Sequence, residues 1–350
     1  MKMNLAEKNK ILSNLGNILT HIGEGKPWPG YEVGINEEEY NRLVELVKTV
    51  HIYNGWFKEE QVKKSFVSIG SWLKLEELEK WESQYPIKEN SNKKVGIIMA
   101  GNIPLVGFHD FISVFLAGHK AIVKLSSDDK HLFPALIETL KLFNDNIGDW
   151  VEITDTPIKD FNAVIATGSN NSARYFESYF AKYPHIIRKN RTSIAVLKGD
   201  ETKEEIALLG KDIFDYFGLG CRNVSQIWIP EDFEINRFYE GIYEFSDVVN
   251  HNKYANNYDY NKAVLLMNQE AILDNGFLLI KEDKSLNSPL AVVHYVRYKS
   301  TDEVKSFIAE NEDKIQAVIG KDYIPFGQGQ CPALSDYADG VDTMQFLTSI

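Results

Sequence analysis

Residues 95–104 read VGIIMAGNIP, and this stretch decides the fold class of the chain. Its first six residues form a short apolar run after the polar turn 89–94, which is typical of a buried strand. A helical segment at 108–117 follows and ends at Gly118, and a second short strand at 121–124 comes directly after it. A strand, a helix and a strand in this order predict a βαβ unit of a parallel sheet.

The same alternation continues beyond this unit, whereas residues 1–90 read as mainly helical, with helices predicted at 37–50 and 73–85. Predicted strands cover 163–166, 193–197, 226–229, 263–267, 277–280, 291–296 and 317–319, and predicted helices cover 132–143, 171–182, 236–245 and 301–311. A capping box at 202–205 opens one further helix. We therefore expect an α/β fold with two Rossmann-like parallel-sheet domains and a helical N-terminal region. The predicted boundaries are 1–90, 91–195, 196–330 and 331–350.

The composition predicts a globular, cytoplasmic protein. Apolar residues make up 44% of the chain, yet no run of about eighteen of them predicts a membrane span. The net charge of −12 argues against nucleic-acid binding, which needs clustered Lys and Arg. The two cysteines form no disulfide framework and the start does not read as a secretory signal, so a reducing compartment is expected. The eight histidines show no metal-binding spacing, and we predict no metal site.

Cys221 stands in the segment GLGCRN (218–223), between a predicted helix and a predicted strand. A thiolate that attacks a carbonyl or thioester creates an oxyanion, which needs hydrogen-bond donors where its charge develops. Asn102 and the backbone N–H of Cys221 could supply them, since we expect both positions to lie at the C-terminal edges of strands, where open α/β sheets place their sites. A cysteine is more often a packed small hydrophobe, and Asn102 could instead cap a helix. The glycines around Cys221 favour the catalytic interpretation.

Five segments in order along residues 95–320 resemble motifs of the aldehyde dehydrogenase superfamily. They are GNIPL (101–105), AGHKAIVKLS (117–126), TGS (167–169), Cys221 itself and SPLAVV (288–293). The resemblance implies an aldehyde-dehydrogenase-like fold with Cys221 as nucleophile and Asn102 as oxyanion donor. It also implies a dinucleotide-binding domain at 91–195, a catalytic domain at 196–330, and cofactor contacts from Lys124, Ser126, Ser127, Gly168 and Ser169. Taken alone, the turn 167–169 could be an ordinary strand-to-helix connection.

Within that superfamily the chain is most similar to acyl-CoA reductases related to the fatty-acid reductase of bacterial bioluminescence. The segments GNIP (101–104), GLGCRNVS (218–225) and DYADGVDT (336–343) carry this closer likeness. It implies reduction of an acyl thioester, on CoA or on an acyl carrier, to an aldehyde. It also implies a homo-oligomer.

Two departures from the superfamily pattern bear on the reaction and on the cofactor. Arg188 occupies the position of the glutamate that activates the hydrolytic water in oxidising members, and an arginine cannot serve as a general base. An acyl-enzyme would therefore survive long enough to meet a hydride or another thiol. Ser127 replaces the glutamate that often accompanies NAD preference, and Lys124 could attract a 2′-phosphate. We therefore expect NADPH, with NADH as a possible cofactor.

Two other functions stay open at this point. The chain could be a thiol acyltransferase that passes the acyl group from Cys221 to an acceptor without redox chemistry. It could also be a degenerate dehydrogenase that binds a nucleotide or a partner. The sequence assigns no acyl chain length and no role to His109 or Cys331.

Overall fold

The computed structural model of the chain describes residues 3–88 and 93–350. The chain divides into two compact units, the first formed by Met1–Lys189 with Ala333–Ile350 and the second by Asn190–Pro332. The finer division into four parts stays a prediction. Most of the turn predicted at 89–94 lies outside the described residues.

The first unit begins with the predicted helical region. Its helices are α1 (Leu5–Gly23), α2 (Glu37–Thr49), α3 (Glu59–Trp72) and α4 (Leu75–Glu82). Asn4 and Asn36 start α1 and α2 with capping boxes, each closed by a glutamate three residues later. Helices α1 and α3 pack closely at Gly70, where a Cβ would lie 2.9 Å from the Gly16 carbonyl oxygen.

A parallel sheet of five strands follows in the same unit. Its strands are β1 (Lys94–Ile98), β2 (Lys120–Lys124), β3 (Val151–Thr154), β4 (Ala163–Thr167) and β5 (His185–Arg188). Its helices are α5 (Phe108–Leu116), α6 (Leu132–Phe143), α7 (Ile147–Trp150) and α8 (Asn170–Phe180). The strand order is β3-β2-β1-β4-β5, so the chain builds the sheet outward from β1 in both directions. The predicted βαβ unit is confirmed.

The second unit contains a sheet of six strands in the order β11-β6-β7-β10-β9-β8, parallel except for the pair β8 and β9. Its strands are β6 (Thr192–Val196), β7 (Val224–Pro230), β8 (Ile272–Asp274), β9 (Leu279–Glu282), β10 (Val292–Tyr298) and β11 (Ile315–Gly320). Its helices are α9 (Lys203–Phe214), α10 (Ile235–Gly241), α11 (Asn252–Met267) and α12 (Thr301–Glu310). The chain then returns to the first unit with α13 (Thr343–Ser349).

The strand predicted at 263–267 is wrong, because these residues form the last part of α11. A short apolar run fits a strand and a helix equally well, and Ala, Leu and Met are strong helix formers. Burial does not determine the structure of this run, since Leu266 is 55% and Met267 82% exposed. The buried face of α11 is set earlier, by Tyr254 and Tyr258 one turn apart.

Candidate active site

Most of the predicted site residues lie at one edge of the first unit's sheet. At the end of β1, Ile98 lies opposite Lys124 of β2 and opposite Ala166 of β4. Six residues follow or end these three neighbouring strands: Asn102, Lys124, Ser126, Ser127, Gly168 and Ser169. This edge lies where the strand order changes direction, the position at which open α/β sheets bind ligands. Cys221 belongs to the second unit.

The loop that carries Asn102 is pressed against the end of β2. A Cβ at Gly101 would lie 2.6 Å from the Oγ of Ser126 and 3.1 Å from the backbone nitrogen of Asp129. No side chain fits there, so glycine is required for this close approach. The structure thus brings the Asn102 loop and Ser126 together, and Asn102 itself is exposed.

Asp129 fixes the shape of the same loop, a role that the sequence did not reveal. Leu105 has a left-handed backbone (φ 59°), and its N–H donates a hydrogen bond of 2.9 Å to Oδ2 of Asp129. The conformation is costly for a leucine and therefore needs support from its surroundings. Asp129 is buried, and burial raises the pKa of its carboxyl to about 6.

We expect Asp129→Asn to gain stability relative to the wild type as pH rises from about 4 to about 7. The raised pKa means that the folded protein holds this proton more tightly than the unfolded chain, whose value is near 3.8. The resulting stabilisation is complete below about pH 4 and is lost as pH rises through about 6. Asparagine keeps an acceptor for Leu105 and does not titrate. Urea unfolding of the wild type and of Asp129→Asn across this pH range measures the difference in their free energies of unfolding. Asp128→Asn, at an exposed aspartate, is the control. A difference in unfolding free energy that does not change with pH would contradict the prediction.

The helical N-terminal region also contacts this edge. The ring of Tyr53 stacks on His131 with centroids 3.8 Å apart, and Nδ2 of Asn54 donates to the Asp128 carbonyl at 3.1 Å. The turn after α2 therefore supports the loop that follows Ser126 and Ser127. No pattern in residues 1–90 pointed to this contact.

The turn after β4 leads directly into a helix N-terminus. Ser169 caps α8, its Oγ accepting the N–H of Ser172 at 3.2 Å. A Cβ at Gly168 would lie 2.8 Å from the Cβ of Ser172, so the backbone approaches the helix as only glycine permits. The capping role and a phosphate-binding role are compatible, because a helix N-terminus offers several N–H groups and a partial positive charge.

Cys221 is exposed and follows a strained turn at the end of α9. It precedes β7, so the expectation that it lies at the C-terminal edge of a strand is wrong. Tyr216, Phe217 and Gly218 have φ values of 52°, 58° and 79°, all left-handed. This conformation is rare for aromatic residues, and a run of it at a candidate nucleophile is typical of functional sites. Ser193 of β6 donates a hydrogen bond of 3.0 Å to the Cys221 carbonyl oxygen.

Asn223 holds the Cys221 loop in place. Its Nδ2 donates to the carbonyl oxygens of Asp212, Ile213 and Asp215 at 3.1, 3.3 and 2.8 Å, and its Oδ1 accepts the N–H of Gly220 at 2.8 Å. One buried amide therefore closes the end of α9 and orients the residue before the thiol. The sequence alone assigns Asn223 no such role. An asparagine soon after a helix end is the signal that could have identified it.

A second contact ties the Cys221 loop to the segment before Cys331. Nη1 of Arg222 donates to the Gly329 carbonyl at 3.2 Å. The Asp212 carboxylate accepts the N–H groups of Gly327 and Gly329 at 2.6 and 2.8 Å. Burial raises the pKa of Asp212 to about 6 and also raises that of the Cys331 thiol. The raised pKa leaves Cys331 a weaker candidate nucleophile.

His109 and Arg188 both contact residues that hold the first unit together. His109 lies on α5 among the rings of Trp72, Trp81 and Tyr337, with Nε2 2.9 Å from the Leu334 carbonyl oxygen. Burial lowers the pKa of this histidine. Nη1 of Arg188 contacts both carboxylate oxygens of Asp110 at 2.6 Å, and Nη2 donates to Oγ1 of Thr343 at 2.9 Å. Arg188 thus joins β5, α5 and α13 in a buried ion pair.

The model of the family described as acyl-CoA reductase (LuxC) matches residues 37–240, more than half of the chain. The chain belongs to the acyl-CoA reductase (LuxC) family. The resemblance inferred from GNIP, GLGCRNVS and the other motifs is thereby confirmed. No curated protein matches this member of the family in sequence.

Solved structures that include aldehyde dehydrogenases share the fold of this acyl-CoA reductase family member. Aldehyde dehydrogenase 21 from Physcomitrella patens, solved with the reaction product succinate, is 13% identical, with 91% of this chain and 74% of that chain covered and a TM-score of 0.62. The NAD-dependent aldehyde dehydrogenase from Sinorhizobium meliloti is 12% identical, with 91% and 70% covered and a TM-score of 0.64. An NADP dependent enzyme from E. coli is 14% identical, with 91% and 73% covered and a TM-score of 0.63. The predicted aldehyde-dehydrogenase-like α/β fold is confirmed.

The described residues contain neither a membrane-spanning helix nor a cluster of metal ligands. Within 3–88 and 93–350, no helix of this family member has the length and apolarity needed to cross a membrane. In the same ranges, no group of three or more His, Cys, Asp or Glu side chains is arranged to hold a metal ion.

Proposed function

We propose that this chain reduces an acyl thioester, carried by CoA or by an acyl carrier, to an aldehyde with NADPH through an acyl group on Cys221. Membership of the acyl-CoA reductase (LuxC) family supports aldehyde-forming reduction of an acyl group in general. The observation that carries the finer proposal is the exposed Cys221 thiol in a loop that Asn223 holds with four hydrogen bonds. The proposal also includes a homo-oligomer, which light scattering would test.

The edge formed by β1, β2 and β4 fits a nicotinamide dinucleotide. Lys124 offers a cation, Ser126 and Ser127 offer hydroxyls, and the Ser169-capped N-terminus of α8 suits a pyrophosphate. The S. meliloti and E. coli neighbours are described as NAD-dependent and NADP dependent, which supports a cofactor of this class. Ser127, in place of a carboxylate, and Lys124 favour the 2′-phosphate of NADPH, with NADH as the weaker alternative.

The chain's own residues carry the covalent chemistry in this proposal. The Cys221 thiolate attacks the thioester carbonyl carbon and forms a new carbon–sulfur bond. The bond to the carrier sulfur breaks, and the carrier leaves as a thiolate that takes a proton from solvent. The Nδ2 group of Asn102 and the backbone N–H of Cys221 donate hydrogen bonds to the oxyanion.

NADPH, when bound, supplies the hydride that reduces the acyl carbon. Asn102 again stabilises the oxyanion on the Cys221-bound carbon, and that oxyanion collapses to a carbonyl. The carbon–sulfur bond to Cys221 breaks, so the thiolate is regenerated and the aldehyde is released. Arg188 is held by Asp110 and cannot activate a water for hydrolysis, which favours reduction of the acyl group.

The primary experiment measures NADPH oxidation and aldehyde formation with acyl-CoA and acyl-carrier substrates. We expect one aldehyde and one released carrier thiol for each NADPH consumed. Carrier thiol released without NADPH oxidation would favour the acyltransferase alternative. No turnover, together with nucleotide binding, would favour the degenerate dehydrogenase.

We expect Asn102→Ala to lower kcat by about 10²- to 10³-fold with little change in KM, because it removes a donor that acts mainly on the oxyanion. Steady-state kinetics with a saturating cofactor measures both constants. Asn236→Ala, an exposed asparagine on α10, is the matched control and should leave both unchanged. A variant at position 102 with the wild-type kcat would rule out the oxyanion role.

We expect Lys124→Met to raise KM for NADPH by about 10- to 100-fold and to leave KM for NADH nearly unchanged. This rise in KM corresponds to the loss of one charge-assisted hydrogen bond to the 2′-phosphate of NADPH. NADH has no such phosphate. Parallel titrations with the two cofactors measure the ratio. An equal rise for both cofactors would show that Lys124 does not distinguish them.

A further inference from the structure

A cavity of about 240 Å³ lies beside the Cys221 loop within the second unit. The residues just before the cysteine, 217–219, and those just after it, 223–225, both contribute to its walls. The segment 288–293 forms another wall, and Ile213, Phe214, Tyr254 and Leu278 also line the cavity. The cavity is therefore built around the turn that presents the thiol.

The polar side chains of these walls are already bonded within the protein. The Tyr254 hydroxyl donates to the Phe277 carbonyl at 3.0 Å, and Oγ of Ser288 donates to the Val292 carbonyl at 2.6 Å. Oγ of Ser225 donates to the Leu286 carbonyl at 2.8 Å, and Asn223 is bonded to the end of α9. What remains for a ligand is mainly hydrocarbon surface, and cavities of this kind accept apolar molecules.

The strained turn gives the cavity one of its aromatic walls. Phe217 lines the cavity although its φ of 58° is rare for an aromatic residue. Its ring stacks on His251 with centroids 4.2 Å apart, which holds the side chain in this position. The strained turn beside Cys221 thus contributes an apolar wall to a cavity that the packing of the unit leaves empty.

We infer that this cavity binds the hydrocarbon tail of the acyl group that Cys221 carries, and that it sets an upper limit on chain length. The inference rests on the proposed function, and it names the substrate class. A 150 Å³ cavity holds the six carbons of benzene, so 240 Å³ accommodates about nine to ten carbons. Medium-chain saturated acyl thioesters are accordingly the best substrates.

The first test is a series of saturated acyl-CoA thioesters from about four to about sixteen carbons. Each added methylene should raise kcat/KM by about fourfold until the cavity is full, at about nine to ten carbons. Longer chains should give no further gain. A flat profile from the shortest chain, or a continued rise to the longest, would overturn the inference while leaving the reductase activity established.

Variants at Leu290 test the location. Its Cδ1 lies 3.5 Å from where a Cβ on Gly218 would stand, so this side chain faces the turn before Cys221. Leu290→Trp should move the optimum to chains shorter by about three carbons, and Leu290→Ala should extend it by a similar amount. Leu266→Trp and Leu266→Ala on α11, where the side chain is 55% exposed, are matched controls and should not move it. An unchanged optimum in both Leu290 variants would place the tail elsewhere.

A binding experiment separates this inference from the proposed function. Calorimetry with straight-chain 1-alkanols needs neither Cys221 chemistry nor a cofactor. The affinity of the protein for the alkanol should rise with chain length up to about nine to ten carbons, and Leu290→Trp should lower this chain-length limit. If alkanols bind in this way but no thioester is reduced, the cavity site stands and the reductase proposal fails. If affinity does not depend on chain length, the inference fails whatever the enzymatic result.

Discussion

Cys221→Ala is expected to lower thioester-dependent NADPH oxidation by about 10⁴-fold or more, because removing a covalent nucleophile abolishes the route that it opens. The substitution should not disturb folding. The side chain is exposed, and the hydrogen bonds that hold the loop come from Asn223, Ser193 and Arg222. Steady-state kinetics and a thermal unfolding scan of the same preparation measure the two effects.

Cys331→Ala is the matched control, since Cys331 is the other exposed cysteine. Its pKa is raised by burial, with the carboxylates of Asp215 and Asp212 adding to the effect, so little of it is thiolate near neutral pH. We expect its activity to remain within about twofold of the wild type. Substantial turnover in the Cys221 variant, or loss of turnover in the Cys331 variant alone, would refute the assignment of the nucleophile.

The modified residue can also be identified directly. Incubation with a labelled acyl-CoA in the absence of NADPH should leave the label on the peptide that contains Cys221, because no reductant is present to release it. The same acyl-CoA should protect that cysteine from iodoacetamide. Label on any other residue would exclude the proposed acyl-enzyme.

In the sheet of the first unit, the sequence predicted the three central strands and missed the two outer ones. Strands β1, β2 and β4 are apolar runs because they are buried among neighbours, so their composition alone identifies them. Strands β3 and β5 are the outer strands of the same sheet, only four residues long and partly exposed. Nothing in such short mixed segments distinguishes them from loops.

Residue type and local sequence led to the prediction of Cys221 and Asn102 as site residues, whereas they did not predict the residues that hold the two loops in place. A cysteine that directly follows a glycine-rich turn suggests chemistry by itself, as does an asparagine two residues before a proline. The roles of Asp129 and Asp212 depend on hydrogen bonds to Leu105 and to Gly327 and Gly329, which are distant in the sequence. From the sequence alone, both aspartates are expected to be solvated surface residues.

Arg188→Met is expected to destabilise the first unit by about 3–5 kcal/mol, because it leaves the Asp110 carboxylate buried without its partner. The two side chains are only 7% and 5% exposed, and no other basic side chain described in 3–88 and 93–350 forms an ion pair with Asp110. The hydrogen bond to Thr343 is lost as well, which loosens α13. Urea unfolding followed by tryptophan fluorescence measures the change, since Trp72 and Trp81 both belong to this unit.

The double variant Arg188→Met with Asp110→Leu distinguishes a structural ion pair from a catalytic arginine. Removing both charges eliminates the buried lone carboxylate, so most of the stability should return. If Arg188 acts only through this pair, the double variant should also recover the wild-type ratio of aldehyde to carboxylic acid product.

Arg188→Glu is the complementary change, because a carboxylate at this position could activate water. Hydrolysis of the acyl-enzyme in Arg188→Glu alone would support the interpretation that an arginine at this position favours reduction. A double variant that recovers its stability but loses its activity would contradict a purely structural role of Arg188.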